Sequence, residues 1–302
     1  MNSDKLYYYT DYNTFKLILV NGTLRFKEST SSNDRLDTIQ LYDELFKMSE
    51  EKLKNTSLKA EQKFYFDMLM HNGVKSSRVS LVACFTTKAD SRMLWDAYTM
   101  HRKDRIAERY NGVCIEFDRQ FLTNAMKNSA GIFDVKECRH ITYGFEGIKD
   151  HLEQIMDEFS AGVERLSKDK DQKQDIIPPI HIPLTHKVLE LKKCIVFPML
   201  ELIDEFDISA PFIKHSFWKE ECEIRALLSI KRANKNVWKL GKYEDGSYYF
   251  DLSINENCIT KVILGPEFSD EEIEELSALN GAIRFERLCT EKSIGTNIIT
   301  NR

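Results

Sequence analysis

Glu221, Glu223 and Arg225, spaced two apart behind Trp218 and ahead of an apolar run, are the residues of this chain whose types and spacing most suggest chemistry. In a strand, alternate side chains share a face, so these three would line one side and Cys222, Ile224 and Ala226 the other. Carboxylates held in this way can stabilise a sugar centre that turns cationic as its leaving group departs. The same residues would also make a solvent-facing ion pair worth about 0–1 kcal/mol. A second group is Tyr7-Tyr8-Tyr9, where alternation puts Tyr8 on one face and its neighbours on the other. A phenol can stack on a planar heterocycle and bond a ribose hydroxyl, or simply fill a half-buried edge strand. Trp95 and Tyr98, three apart, share one helical face and could clamp an aromatic ligand or pack on a sheet. Ser32-Asn33-Asp34 reads as a turn with hydroxyl and amide groups to offer. Between 214 and 242, eight Lys or Arg stand against three Glu, a local excess able to steer a phosphate-bearing ligand or nucleic acid.

Other chemistries lack their marks. No Gly-rich nucleotide loop, Gly-x-Ser-x-Gly elbow or His-Glu-x-x-His helix occurs, and the seven His are scattered. A net charge of −5 over 302 residues disfavours a broad duplex-coating surface, though not a local basic groove. Seven widely spaced Cys without a Cys-x-x-Cys pair read as buried reduced thiols. No apolar run approaches 18 residues, and Met1 to Lys5 lacks a basic flank followed by an apolar core. The expectation is a cytoplasmic protein with no membrane association.

The elements that must position these residues follow from hydrophobic periodicity. Residues 5–9, 23–26, 79–85 and 112–117 read as strands, as do 221–230, 237–243, 247–254, 258–264 and 283–289. Thr10 or Asp11 can cap a helix bearing Phe15, Ile18 and Leu19 and stopped by Asn21-Gly22. Asp90 can cap a short helix holding Met93, Leu94, Ala97 and Tyr98. Residues 36–71, with Phe64, Met68 and Leu69 among the apolar positions, 146–168 and 184–207 read as helical, the last interrupted by Pro198. Lys168 to Asp175 reads as a solvated linker and 176–183 as irregular. Glu244-Asp245-Gly246 marks a hairpin, and Ser269 with Glu272 a capping box. Strands at both ends and helices between them predict one α+β domain over 1–302, a mostly antiparallel sheet with helical insertions at about 36–78 and 145–210.

In their order these motifs resemble a bacterial family known as a domain of unknown function, whose members look like ADP-ribosyltransferases and occur in toxin and phage-defence settings. The resemblance is carried by Leu6-Tyr7-Tyr8-Tyr9-Thr10, Gly22-Thr23-Leu24-Arg25, Asn33-Asp34, Phe85-Thr86, Met93-Leu94-Trp95 with Tyr98, and Gly112 to Phe117. It ends on Trp218, Glu221, Glu223, Arg225 and Val262-Ile263-Leu264-Gly265. It implies an ADP-ribosyltransferase-like split antiparallel sheet whose cleft holds NAD as a substrate. On that likeness Glu223, Glu221 and Tyr8 are the catalytic residues: one of the two glutamates is the catalytic acid, and Tyr8 faces the nicotinamide ribose. The stacking aromatics are among Tyr9, Trp95 and Tyr98, and Asn33 and Thr86 lie in the NAD site. Arg25 or Arg225 pairs with the pyrophosphate or with the glutamates. Two departures stand out: Tyr8 replaces a His and Thr86 a Ser, each presenting a hydroxyl able to hydrogen-bond. The implied activity is transfer of ADP-ribose to a protein, RNA or DNA acceptor, with a neutralising antitoxin as a further partner. The alternatives are an NAD glycohydrolase and a non-catalytic nucleotide- or partner-binding module. The basic stretch His101 to Arg109 could touch an acidic target.

Overall fold

The structure is a computed structural model, and it describes residues 4–31, 35–73, 77–99, 112–129, 131–168, 191–266, 268–279 and 283–288. The alternating and apolar runs become a mostly antiparallel sheet of ten strands in two halves. In one half β1 (Lys5–Asp11) pairs along its whole length with β4 (Gly112–Asp118). Beyond β4 lie β11 (Ile259–Leu264) and, parallel to it, β12 (Arg284–Arg287). In the other half β3 (Arg78–Thr86) pairs with β8 (Glu223–Lys231) over nine residue pairs, and β8 with β5 (Val135–His140). β2 (Thr23–Glu28) pairs with β10 (Tyr248–Ser253), which continues to β9 (Gly241–Lys242).

The halves meet on the edge of β3 that faces away from β8. There β1 contributes one pair, Tyr7 with Thr86, and β2 contributes Lys27 with Val82 and Glu28 with Leu81. Between these contacts Ala83, Cys84 and Phe85 have no strand partner on that edge. The sheet therefore opens, and β1 and β2 diverge from each other along β3. Their divergence is set by α1 (Tyr12–Asn21), which joins them directly. The Asp11 side chain accepts from the Thr14 amide at 2.9 Å, and Gly22 ends the helix in the left-handed region, its N–H donating to the Ile18 carbonyl. Phe15 and Ile18 anchor it in the core beneath the sheet. The same face is covered by α5 (Arg119–Asn128), capped by Asp118, and by α8 (Asp270–Leu279), whose Ser269–Glu272 capping box forms as expected.

The two expected insertions pack together as a second core on the other face. α2 (Arg35–Lys54), α3 (Ala60–Gly73), α6 (Glu146–Lys168) and α7 (Phe197–Ser209) bury Leu41, Phe66, Phe159 and Phe206 together. Val82 and Leu227 of the sheet join this layer through Ile141 and Phe212. The fully buried Arg78 side chain ties α7 to the sheet, donating to Asp204 at 3.0 Å, Ser229 at 2.8 Å and Asp134 at 2.5 Å. Among the described residues no helix is long and apolar enough to cross a membrane.

Several boundaries differ from expectation. The 36–71 helix breaks at 55–59, and Phe64 points to solvent while Phe66 takes the core position. The short helix is α4 (Arg92–Tyr98) with Ser91, not Asp90, at its N-cap. Pro198 lies in the first turn of α7, directly after a π-helical turn at Lys192–Val196, so the helix changes its hydrogen-bond pattern next to the proline. Residues 237–243 are a 3₁₀ turn, Lys235–Lys239, followed by the two-residue β9. α5 and β5 have no counterpart in the sequence reading; β5 is polar on both faces, so it carries no alternation. The linker from 169 to 175, the irregular 176–183 stretch, the first part of the 184–207 helix and the basic His101–Arg109 segment lie outside the described residues. The six described cysteines are free; Cys114 and Cys258 are buried as expected, but Cys84 is exposed and Cys138, Cys194 and Cys222 are half-buried.

Gly112 opens β4 against the end of α4: a Cβ there would lie 1.8 Å from the Thr99 Cβ. Gly112→Ala is expected to lower stability by about 1–3 kcal/mol, read as a lower urea midpoint. Because α4 must shift to relieve the clash, the same variant should disturb Tyr98, the last residue of that helix.

Candidate active site

The gap between β1 and β3 is a cavity of about 280 Å³. Tyr8 to Asp11 line one wall and Val82 to Thr86 the other. Arg25 and Lys27 come from β2, Tyr98 from α4, and Lys214, Glu221, Glu223 and Arg225 complete the lining.

The charged group is built by a break in the strand. Glu221 ends a 3₁₀ turn (Ser216–Glu221), and Cys222 follows in the left-handed region at φ 48°. β8 begins only at Glu223, so the expected strand alternation does not place Glu221. The turn does, and both carboxylates converge on Lys214. Its ammonium lies 2.8 Å from Glu221 Oε2 and 3.0 Å from Glu223 Oε2, over the Trp218 ring at 5.1 Å. Arg225 donates through Nε to Glu223 Oε1 at 2.6 Å and through Nη1 to the Pro211 carbonyl at 2.6 Å. Tyr98 donates to Glu221 Oε1 at 2.9 Å. Thr86 donates to the Glu221 carbonyl at 2.7 Å, Lys88 to that of Glu220 at 2.6 Å, and the Glu223 amide donates to the Tyr143 hydroxyl at 2.9 Å. The four charged side chains are 4–6% exposed. Two acids and two bases balance, which is the condition for keeping such charges out of water. Burial alone would raise the Glu223 carboxyl, but Arg225 and Lys214 outweigh it and hold it at about 2.

The expected site residues separate into groups. Glu221, Glu223, Arg225, Thr86 and Tyr98 come together as one hydrogen-bonded cluster. Tyr8 reaches the same cavity from the other sheet face, its ring 5.7 Å from Phe85 and 6.4 Å from Phe117. Burial, then Cys84 and Asp11, push its phenol up to about 12, so it remains a neutral hydrogen-bonding group. Arg25 lines the opening, doubly bonded to Asp251 at 2.7 and 2.8 Å and stacked 4.2 Å over Tyr249. Arg225 is committed to Glu223.

The other two aromatics expected among the stacking residues are placed differently from Tyr98. Trp95 is 2% exposed and packs edge-on against Tyr9 at 5.4 Å, behind β1 and outside the cavity lining. Tyr9 contributes to the wall, but its hydroxyl donates to the Lys88 carbonyl at 2.9 Å and accepts from the Ser91 amide at 3.2 Å, pinning the start of α4. Asn33 lies outside the described residues. Lys214, Tyr143 and Asp251 escaped the sequence reading. The one trace of Lys214 was its position at the head of the basic 214–242 stretch. Cys84 faces the cavity too: its surface is open to that space although it sits deep in the protein, where desolvation, then the charge of Glu223, push its thiol up, which argues against a thiolate nucleophile. Among the described residues no cluster of three or more His, Cys, Asp or Glu could hold a metal ion.

Residues 94–226 match a protein family described as "Protein of unknown function (DUF2971)". This stretch is less than half of the chain; it includes Tyr98, Lys214, Glu221, Glu223 and Arg225 and leaves β1 to β3 outside. No curated protein and no solved structure matches the chain.

The depressed Glu223 carboxyl carries a pH signature. Its contribution to stability is present above pH 4.5, the ordinary value, and is lost as pH falls toward 2. Urea unfolding between pH 2 and 6 should therefore show a loss of stability on acidification that Glu223→Gln flattens. At neutral pH the same variant should be less stable by about 3–5 kcal/mol, because Arg225 is left buried without its carboxylate. An unchanged pH slope in the variant would contradict the ionised cluster.

Proposed function

We propose that the protein binds NAD in this cavity, cleaves its nicotinamide–ribose bond and passes ADP-ribose to a macromolecular acceptor. The observation that carries this reading is the opening of the sheet beyond the Tyr7–Thr86 pair, which leaves Tyr8, Tyr98 and the Glu221–Glu223 pair on one crevice. The ordered motif resemblance points to the same reaction. In the step, the bond from the ribose C1′ to the nicotinamide nitrogen breaks and nicotinamide leaves with the electron pair. An acceptor nucleophile then bonds to C1′ and gives up its proton. Glu223, ionised down to about pH 2, supplies negative charge beside the developing cation. Glu221, which accepts a hydrogen bond from Tyr98, takes the acceptor's proton. Tyr8 and Tyr98 offer aromatic faces and hydroxyls to the nicotinamide riboside, and Arg25 at the opening offers a guanidinium to the pyrophosphate. The acceptor classes are protein, RNA and DNA.

A second reading has a specific observation behind it. Lys214 and Arg225 already neutralise both glutamates, which suits a module that binds a nucleotide without breaking it. Incubation with NAD and a cell lysate separates the readings. The transferase reading expects nicotinamide release with ADP-ribose on a macromolecule. Glu223→Gln should reduce release by about a hundredfold or more, and Glu221→Gln should reduce transfer more than release. NAD binding without nicotinamide release would establish the binding module instead. Release that yields free ADP-ribose alone would make the protein a glycohydrolase.

A further inference from the structure

The face farthest from the catalytic reading in composition is the 3₁₀ turn Lys235–Lys239 with the β9–β10 hairpin that follows it. Between Lys231 and Tyr243 the chain carries five cations and no acid, within a protein of net charge −5. Lys231 pairs with Asp204 at 3.3 Å and Arg232 with Glu28 at 2.7 Å. Lys235, Lys239 and Lys242 are exposed and have no carboxylate partner among the described residues. Between them in sequence, Trp238 is 77% exposed, with the Lys239 ammonium 5.8 Å from its ring centre, while the Lys242 ammonium lies 5.5 Å from the ring centre of Tyr248 on the hairpin.

This tryptophan is not exposed by slack. The Asn234 side chain accepts from the Asn236 amide at 2.9 Å, and the Asn236 side chain donates to the Gly131 carbonyl at 2.7 Å. Leu240 is buried and Val237 packs on the main core. The turn is thus anchored at both ends and holds an indole face toward solvent. From there the hairpin runs back to the cavity. Gly241 has no Cβ where the Tyr249 ring lies, Tyr243 packs 4.7 Å from that ring, and Arg25, which lines the cavity, stacks on it.

We propose that this face binds single-stranded nucleic acid, a base stacking on Trp238 while Lys235, Lys239 and Lys242 meet the phosphates. Base-on-aromatic stacking beside mobile cations is how single strands are held without sequence readout. A duplex hides its base faces, so it can use the lysines but not the indole. A protein partner fits less well, since lysine is depleted in the core of protein interfaces and here three exposed lysines flank the aromatic along the chain. The proposal stands whether or not the cavity turns over NAD.

The test is fluorescence anisotropy of the full chain, without NAD, against labelled single-stranded RNA and DNA of about 12 nucleotides, the matching duplex, and a poly-glutamate peptide. At least one single strand should bind, and more tightly than duplex and peptide. Trp238→Ala should weaken binding about tenfold with an unchanged urea midpoint, and Trp238→Phe should retain most of the affinity. Replacing Lys235, Lys239 and Lys242 by Gln should flatten the salt dependence by about two counterions. Absence of binding by both strands, or an affinity indifferent to Trp238→Ala, overturns the proposal. Equal binding of the peptide also overturns it and assigns the face to an acidic protein.

Discussion

One ammonium group, that of Lys214, sets the geometry of the whole cavity floor. It bridges Glu221 and Glu223 at 2.8 and 3.0 Å in a place almost closed to water. Two buried carboxylates need that positive charge between them, because neither would tolerate burial alone. Arg225, the third residue of β8, completes the balance, and the cluster becomes an electrically neutral body with fixed bonds. Around it the chain is arranged to keep the bonds in register. Thr86 and Lys88 hold the Ser216–Glu221 turn by its carbonyls, Tyr143 accepts the Glu223 amide, and Tyr98 reaches across from α4 to Glu221. Removal of any one of these leaves the others pointing at the same charge.

A cluster of this kind serves chemistry only if something can approach it, and the sheet provides the approach. β3 is fully paired with β8 on one side, while its other side is shared between two strands, β1 touching it at its last residue, Thr86, and β2 at its middle, Leu81 and Val82. The short α1 forces this sharing: β1 and β2 are joined by a helix only ten residues long and must leave β3 in a wedge. Unpaired backbone at Ala83–Phe85 and along β1 then faces the cavity, available to a ligand. The second, helical core closes the opposite side and carries Arg78's partner Asp204, so the sheet cannot flatten to fill the gap.

The sequence disclosed the site's members better than their duties. The acid pair, Arg225, Thr86, Tyr98 and Tyr8 all reach one crevice. Trp95 does not: its three-residue spacing from Tyr98 suggested a shared face, yet seven residues of helix put one ring into the core behind β1 and leave the other over Glu221. Glu221 was expected on a strand, and its neighbour Cys222, at positive φ, shows why periodicity misled: a left-handed residue resets the alternation with no glycine to announce it. Lys214 was one cation among eight.

What the amino-acid order determined by itself is local. Alternation and apolar runs set most strands, Asp11 and Gly22 bounded α1, Ser269 and Glu272 capped α8, and Gly246 closed the hairpin, because each depends on neighbours a few residues away. Tertiary structure decided which of those elements would leave an edge open, which aromatic would be buried, and which lysine would stand between the glutamates. Those outcomes rest on contacts such as Tyr98 with Glu221, 123 residues apart, whose partners no local period can identify.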